Sequence, residues 1–288
     1  MEQLPLFEDN QRIINVASVP QRSPFRYPGG KTWLVPRIRR WLSGKNPRPG
    51  GLVEPFAGGG IVGLTAAFEG LAERVVMVEL DEQLAAVWRV IIEESGGAEW
   101  LSEKIVTFEL SLPAVREVLN SSPASVYETA FFTILKNRVN RGGILAPGAS
   151  LVKAGENGRG ISSRWYPETL KKRILDIAGI RERITFIHGD GLEIMEDFAG
   201  RSDFVFFIDP PYTLAAKRLY NHWALDHATL FETASRLSGD FLMTYDNDEQ
   251  IRSLAAEHDF DTREIAMKNT HHAKMTELLI GRDLSWAD

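Results

Sequence analysis

The sequence predicts a doubly wound α/β sheet interrupted by an inserted, mainly helical module. Short apolar runs of strand length alternate with amphipathic helical patterns from residue 51 to 94, and this alternation resumes at residue 184. The residues between are mostly helical in pattern and rich in basic side chains. Strands that alternate with helices form βαβ units and a largely parallel sheet. The predicted divisions are a tail at 1–21, a first sheet part at 22–100, the inserted module at 101–183 and a second sheet part at 184–288.

The elements of the first sheet part follow from hydrophobic periodicity. Residues 31–43 have the spacing of a helix, in which Pro36 is best tolerated in the first turn or as a kink. The later patterns predict a strand at 51–56, a helix at 61–71, a buried strand at 74–80 and an amphipathic helix at 81–94.

The inserted module changes character near its centre. Residues 99–140 have helical periodicity, whereas residues 141–163 contain six glycines and one proline. That composition predicts a long loop or a glycine-rich hairpin, and loops of this length are usually functional or disordered. The second sheet part contains predicted strands at 184–188, 204–209, 241–245, 263–267 and 277–280, and predicted helices at 226–237 and 249–258.

Composition excludes several classes of protein. The absence of cysteine among the 288 residues excludes disulfides, thiolate metal sites and cysteine nucleophiles. The two adjacent histidines at 271 and 272 have no third ligand at a suitable spacing, so no metal site is predicted. No apolar run approaches the roughly 18 residues that a membrane span needs, and the N-terminus lacks a signal pattern. We therefore expect a cytoplasmic protein.

Charge is unevenly distributed along the chain, whose net charge is −6. Residues 10–53 contain nine basic residues and no acidic one, and residues 127–183 contain eleven basic and five acidic residues. Local basic surface is what matters for phosphate binding, because screening limits the field of a charge to roughly 8 Å. Two solvated helix faces explain the same pattern equally well. The charge therefore permits nucleic-acid binding without arguing for it.

A glycine turn follows the first predicted strand. Gly58, Gly60 and Gly63 have the spacing G-x-G-x-x-G, and Glu79 ends the next strand nineteen residues after Gly60. Such glycines let the backbone approach a nucleotide, and the strand-end carboxylate takes its ribose hydroxyls. The combination predicts a nucleoside site, but it does not distinguish NAD from S-adenosylmethionine.

A second glycine motif, GGKT at 29–32, is similar to a phosphate-binding P-loop. The earlier glycine that a P-loop requires would fall at position 25, which is Phe25, and no apolar strand precedes it. We reject an NTPase on these grounds.

The tetrapeptide DPPY follows a fully apolar predicted strand. Asp209 ends the strand, Pro210 and Pro211 stiffen the chain, and Tyr212 offers a flat face. An exocyclic amine is a poor nucleophile because its lone pair is delocalised into the ring. A carboxylate and the Pro210 carbonyl can each accept one N–H and aim the lone pair at an electrophile. Stacking on Tyr212 suits a base flipped out of a duplex.

These motifs together resemble the D12 class of DNA N6-adenine methyltransferases, which includes the Dam enzymes. FRYPGGK at 25–31, EPFAGGG at 54–60, Glu79, DPPY at 209–212 and TELLI at 276–280 occur in this order. The resemblance covers the chain from about residue 22. It implies a bacterial or phage-encoded enzyme with a Rossmann-like methyltransferase sheet, in which residues 101–183 form an inserted target recognition domain.

The resemblance implies two sets of active-site residues. The flipped adenine would be bound by Asp209, Pro210, Pro211 and Tyr212. Glu79 would hold the ribose of S-adenosylmethionine, and Asp190 would accept a hydrogen bond from the adenine amine of that cofactor. The full set predicted to bind the cofactor is Tyr27, Lys31, Phe56, Ala57, Gly58, Gly60, Glu79, Asp190 and Asp209.

The resemblance also implies double-stranded DNA as the substrate. The segment LKNRVNRGG at 135–143 is similar to the stretch with which the family contacts DNA. The residues predicted to contact DNA are Lys136, Asn137, Arg138 and Arg141. Residues 145–163 depart from the pattern of GATC-specific Dam enzymes, so recognition of GATC is not implied.

The N-terminal tail contains QLPLF at residues 3–7. This pentapeptide resembles the motif with which bacterial proteins dock on the replication sliding clamp, and it predicts contacts from Gln3, Leu4, Leu6 and Phe7. An alternative is that the apolar tail packs on the sheet domain.

Three rival functions remain open at this point. A methyltransferase could act on an RNA base or a protein glutamine, although glutamine enzymes usually carry asparagine where Asp209 stands. A catalytically inert DNA-binding relative would retain the fold but not need intact motifs. A dehydrogenase would leave DPPY unexplained.

Overall fold

The computed structural model describes residues 19–26, 30–155, 158–211, 225–268 and 274–287. Within these ranges, seven strands form one sheet with helices on both faces. The strands are β1 (Gly51–Glu54), β2 (Val75–Glu79), β3 (Ile184–His188), β4 (Phe204–Ile208), β5 (Phe241–Asp246), β6 (Asp261–Lys268) and β7 (Lys274–Gly281). The helices are α1 (Val35–Ser43), α2 (Ile61–Glu69), α3 (Glu82–Ile92), α4 (Gly97–Thr107), α5 (Leu112–Asn120), α6 (Val126–Val139), α7 (Pro167–Ala178), α8 (Gly191–Asp197), α9 (His227–Arg236) and α10 (Glu249–Glu257).

Strand pairing confirms the predicted doubly wound α/β sheet. The order across the sheet is β3-β2-β1-β4-β5-β7-β6. The strands from β3 to β5 are parallel, whereas β7 runs antiparallel between β5 and β6. The strand order reverses between β1 and β4, and sheets of this kind bind ligands outside the carboxyl ends of the strands at that point. The residues that follow β1 and β4 therefore lie where a ligand is expected.

Alternate side chains of the strands enter two separate cores. Val75 and Met77 of β2 belong to the core that contains residues of α1 to α4. Val76 and Val78 of the same strand belong to the core that contains residues of α8, α9 and α10. Successive side chains of a strand point to opposite faces, so a strand buried on both faces has no polar side. This explains why the central strands have continuous apolar sequences.

The inserted module is helical, as predicted, and lies between β2 and β3 in the chain. Helix α6 packs against α3, and α4 packs against α7. Leu101, Ile134 and Ile174 belong to the same core as Leu52 of β1. The core of these helices is thus continuous with one face of the sheet. The division of residues 101–183 into a separate domain stays a prediction.

Local differences from the predicted elements have simple causes. Strand β1 ends at Glu54 because Pro55 starts a turn and has no amide hydrogen for the ladder. Pro36 lies in the first turn of α1, as predicted. Helix α8 was not predicted, because its seven residues are too few for a periodic pattern. Among the described helices, none combines the length and apolar character needed to cross a membrane.

Candidate active site

The glycine turn after β1 requires residues without a side chain. Gly58 and Gly60 have φ angles of 48° and 63°, a region that favours glycine. A Cβ atom on Gly60 would lie 2.4 Å from Cε of Met77. Ala57 donates its amide to the Val78 carbonyl over 2.8 Å, which fixes the turn against β2. Phe56 packs against the core that contains residues of α8, α9 and α10.

Glu79 is positioned by this turn at the carboxyl end of β2. Its Oε2 accepts from the Gly58 amide and its Oε1 from the Asp81 amide, both over 2.8 Å. Burial raises the pKa of Glu79 to about 7, although these hydrogen bonds act to lower it. Trp88 stabilises the turn, because its Nε1–H donates to the Gly58 carbonyl over 3.0 Å. The carboxylate predicted to hold a ribose is thus already oriented by backbone amides.

Glu54 lies beneath the glycine turn, and the sequence analysis assigned it no role. Its Oε2 accepts from the Gly63 amide over 2.8 Å, in the first turn of α2. Its side chain is buried, and burial raises its pKa to about 8. A Cβ atom on Gly63 would lie 2.5 Å from that same oxygen. Glu54 therefore joins the end of β1 to the start of α2.

Asp190 follows β3 at the same edge of the sheet. Its Oδ1 accepts from the Leu192 amide over 2.8 Å, so it caps α8. A Cβ atom on Gly191 would lie 2.2 Å from the Pro55 carbonyl oxygen. Glycine at this position lets α8 approach the turn after β1. The close approach brings Asp190 beside the residues that follow β1 and β2.

Asp209 follows β4 and contacts a buried lysine. Nζ of Lys31 lies 3.1 Å from Oδ1 of Asp209 and 3.3 Å from Oε2 of Glu277. The side chains of Lys31 and Glu277 are 2% and 5% exposed, whereas that of Asp209 is 23% exposed. Thr244 of β5 also donates to Oδ1 of Asp209 over 2.7 Å. Asp209 is thus the accessible end of a buried charged network.

Glu277 is a site residue that the sequence analysis quoted within TELLI but gave no function. It lies on β7 opposite Asp246 of β5. Burial raises its pKa to about 7, while Lys31 acts in the opposite direction. The two carboxylates raise the pKa of Lys31 above its ordinary value despite burial. Lys31 therefore stays charged between Asp209 and Glu277.

The described donor set fits S-adenosylmethionine. Glu79 and Asp190 place carboxylates at the ends of adjacent strands, where ribose hydroxyls and an adenine amine can donate to them. The glycine turn lies beside them, and a Cβ atom on Gly60 would clash with the buried side chain of Met77. Glu79, Asp190 and the backbone of Gly58 to Gly60 are the groups that would hold the cofactor.

Some predicted residues lie outside the described part of the chain. These are Tyr27 and Tyr212 of the site, and Gln3, Leu4, Leu6 and Phe7 of the tail. Of the remaining DPPY residues, Pro210 is buried and Pro211 is partly exposed.

The structure corrects the prediction that Asn137 and Arg138 contact DNA. Asn137 is fully buried, and its side chain bonds to both backbone groups of Arg26 and to the Gly143 carbonyl over 2.7–2.9 Å. Arg138 is 5% exposed and donates to the Pro24 carbonyl. Buried side chains that bind protein backbone present no surface to a duplex. Their contacts hold the segment that leads to Lys31.

The other two predicted DNA contacts differ in exposure. Lys136 is partly buried and donates to Oε1 of Gln83 over 3.3 Å. Burial lowers its pKa. Arg141 is exposed. Contact between these two side chains and DNA stays a prediction.

Comparisons with known proteins give similar solved structures and one family model. An rRNA methyltransferase, AviRa of Streptomyces viridochromogenes, is 12% identical with a TM-score of 0.38, covering 91% of this chain and 89% of its own. A protein of Pyrococcus horikoshii assigned as an RNA methyltransferase is 12% identical with a TM-score of 0.39, covering 89% of this chain and 84% of its own. No curated protein matches the sequence. The model of the D12 class N6 adenine-specific DNA methyltransferase family matches residues 27–119, which confirms the resemblance over that part of the chain.

Proposed function

We propose that this protein transfers a methyl group from S-adenosylmethionine to the N6 amino group of adenine in double-stranded DNA. The observation that carries the proposal is Asp209, a partly exposed carboxylate at the end of β4 that a buried lysine holds in place. A target amine inside a duplex is out of reach, so the proposal includes extrusion of the adenine from the stack.

The geometry supports a positioning mechanism. The Asp209 carboxylate and the Pro210 carbonyl accept the two N–H groups of the amine, which directs its lone pair out of the plane of the base. Lys31 and Thr244 restrict the Asp209 side chain, and alignment of this kind supplies several kcal/mol of a barrier. S-adenosylmethionine supplies an electrophilic methyl group on a sulfonium centre. The amine nitrogen would gain the methyl carbon as the carbon–sulfur bond breaks, the sulfur would leave as a neutral thioether, and the amine would lose one proton, which Asp209 is placed to accept.

Competing functions leave parts of this arrangement without a role. A dehydrogenase does not need a fixed hydrogen-bond acceptor pair after β4. Methylation of a protein glutamine uses a similar amine but leaves the basic residues between 127 and 183 without a role, whereas RNA would suit those residues as DNA does. RNA and protein are therefore tested as alternative substrates.

The test supplies purified protein and labelled S-adenosylmethionine with three substrates: adenine-unmethylated duplex DNA, total RNA and a protein extract. We expect label in the DNA, recovered after digestion as N6-methyladenine. Asp203→Ala is the matched control for variants of Asp209, because Asp203 is an exposed carboxylate at the other end of β4. This control variant should leave transfer unchanged. Label in RNA or protein alone, or in cytosine, would contradict the proposal.

We also propose that the tail docks on the bacterial replication sliding clamp through Gln3, Leu4, Leu6 and Phe7. Such docking would deliver the enzyme to newly replicated DNA. A peptide of the tail should bind the clamp with a Kd of ~100 μM or tighter, which corresponds to about −5.5 kcal/mol. The same peptide with Leu6 and Phe7 replaced by alanine is the control. Equal binding of the two peptides, or none, removes this partner.

A further inference from the structure

Two arginine side chains bind the segment at residues 23–26, and a third arginine belongs to it. Arg138 of α6 and Arg173 of α7 each donate to a backbone carbonyl of the segment, and Arg26 belongs to the segment itself. Arg138 is 5% exposed, and its buried Nε has no hydrogen-bond partner. Arg26 and Arg173 are partly exposed. We refer to Arg26, Arg138 and Arg173 as the arginine cluster.

The charges of the cluster act on one another. Burial, together with the positive charges of Arg173, Arg26 and Arg164, lowers the pKa of Arg138 to about 9. Burial and Arg164 also lower the pKa of Arg26. Among the described residues, no carboxylate forms an ion pair with any member of the cluster. Because a buried charge costs several kcal/mol unless it is paired, the cluster is suited to an anion.

Neighbouring cations on this side of the molecule do have carboxylate partners. Arg22 and Arg39 both bind Glu69, over 3.1 Å and 2.7 Å. Lys172, next to Arg173 on α7, binds Asp176 over 2.7 Å. Among the described residues, the absence of a carboxylate partner thus distinguishes the cluster from Arg22, Arg39 and Lys172.

One member of the cluster, Arg26, is close to the active site along the chain. Arg26 precedes Lys31 by five residues, which span at most about 18 Å when extended. That distance is about five base-pair steps of 3.4 Å.

We propose that the arginine cluster binds a backbone phosphate of the substrate DNA near the flipped adenine. Arg26 and Arg173 contact the phosphate oxygens, while Arg138 supplies a fixed positive charge beneath them. Guanidinium groups suit this task because their planar donors match the geometry of phosphate oxygens. The inference rests on the proposed function, since it takes duplex DNA as the source of the phosphate.

The experiment measures binding of a fluorescent duplex by anisotropy between about 50 and 200 mM salt. Each phosphate contact adds about 0.9 to the slope of log affinity against log salt concentration. We expect Arg26→Gln and Arg173→Gln each to reduce the slope by about that amount. Arg201→Gln is the matched control, because Arg201 is exposed and lies before β4, whereas Asp209 follows the other end of that strand. Arg201→Gln should keep the wild-type slope.

Other readouts separate the possible failures. Wild-type slopes in both cluster variants, with methylation still observed in the wild type, overturn the phosphate site alone. Reduced slopes in a protein that methylates no DNA support the site and overturn the proposed function alone. Reduced slopes with duplex RNA but not with DNA overturn the assignment to DNA. Stronger competition by inorganic phosphate than by chloride at equal ionic strength supports a site for phosphate oxygens. Binding of labelled S-adenosylmethionine should be equal in all variants.

Discussion

Replacing Asp209 with alanine is expected to lower the rate of methyl transfer by about 10²–10⁴-fold, the usual effect of removing a positioned proton acceptor. The variant loses the acceptor that orients the amine, and it loses the group that Lys31 and Thr244 hold in place. The Kd for S-adenosylmethionine should stay within a few fold, because Glu79, Asp190 and the glycine turn are unchanged. Single-turnover transfer to duplex DNA and equilibrium binding of labelled cofactor measure the two effects.

Asp209→Asn tests the same role with less disturbance of the structure. An asparagine oxygen can still accept from Thr244, so folding should be preserved even if the alanine variant is unstable. The asparagine amide cannot take a proton from the substrate amine, so the rate should again fall by a large factor. Asp203→Ala controls for loss of a carboxylate on the same strand. Near-normal turnover of Asp209→Asn and Asp209→Ala would remove Asp209 from the mechanism.

The sequence was sufficient to predict the sheet edge and most residues placed there. Glu79 ends β2, Asp190 and Asp209 follow β3 and β4, and parallel strands bring their carboxyl ends to one edge. Glu79 and Asp209 could therefore be assigned from the strand pattern, whereas Asp190 was assigned through the family resemblance. The glycine turn could be assigned because its spacing is local.

The sequence was not sufficient to predict interactions that join distant parts of the chain. Lys31 and Glu277 are 246 positions apart, and only the antiparallel insertion of β7 beside β5 brings Glu277 to the site. The burial of Asn137 and Arg138 was missed for a related reason. Both lie at the end of α6, and arginine is usually exposed. The covering segment at residues 23–26 is more than 100 positions away.

Replacing Lys31 with methionine is expected to destabilise the protein by about 3–5 kcal/mol, since it leaves buried charge uncompensated. Glu277 is almost fully buried, and Lys31 is the cation that opposes the rise of its pKa. Urea denaturation measures the loss. Lys45→Met is the matched control, because Lys45 pairs with Asp240 at a partly exposed site and should cost about 1 kcal/mol or less.

The pH dependence of the Lys31 effect follows from Glu277. Its folded pKa, about 7, is above the ordinary value of 4.5, so the native state binds the proton more tightly than the unfolded state. Stability attributed to Glu277 therefore falls as pH rises from about 4.5 through 7. Without Lys31 this pKa should rise further, which makes the variant's loss of unfolding free energy larger at pH 8 than at pH 5.

Adding Glu277→Gln should recover part of this deficit in unfolding free energy at pH 8, because it removes the carboxylate that lost its cation. A deficit that is equal at both pH values, and unaffected by Glu277→Gln, would show that Lys31 stabilises the fold by packing and not by pairing with Glu277.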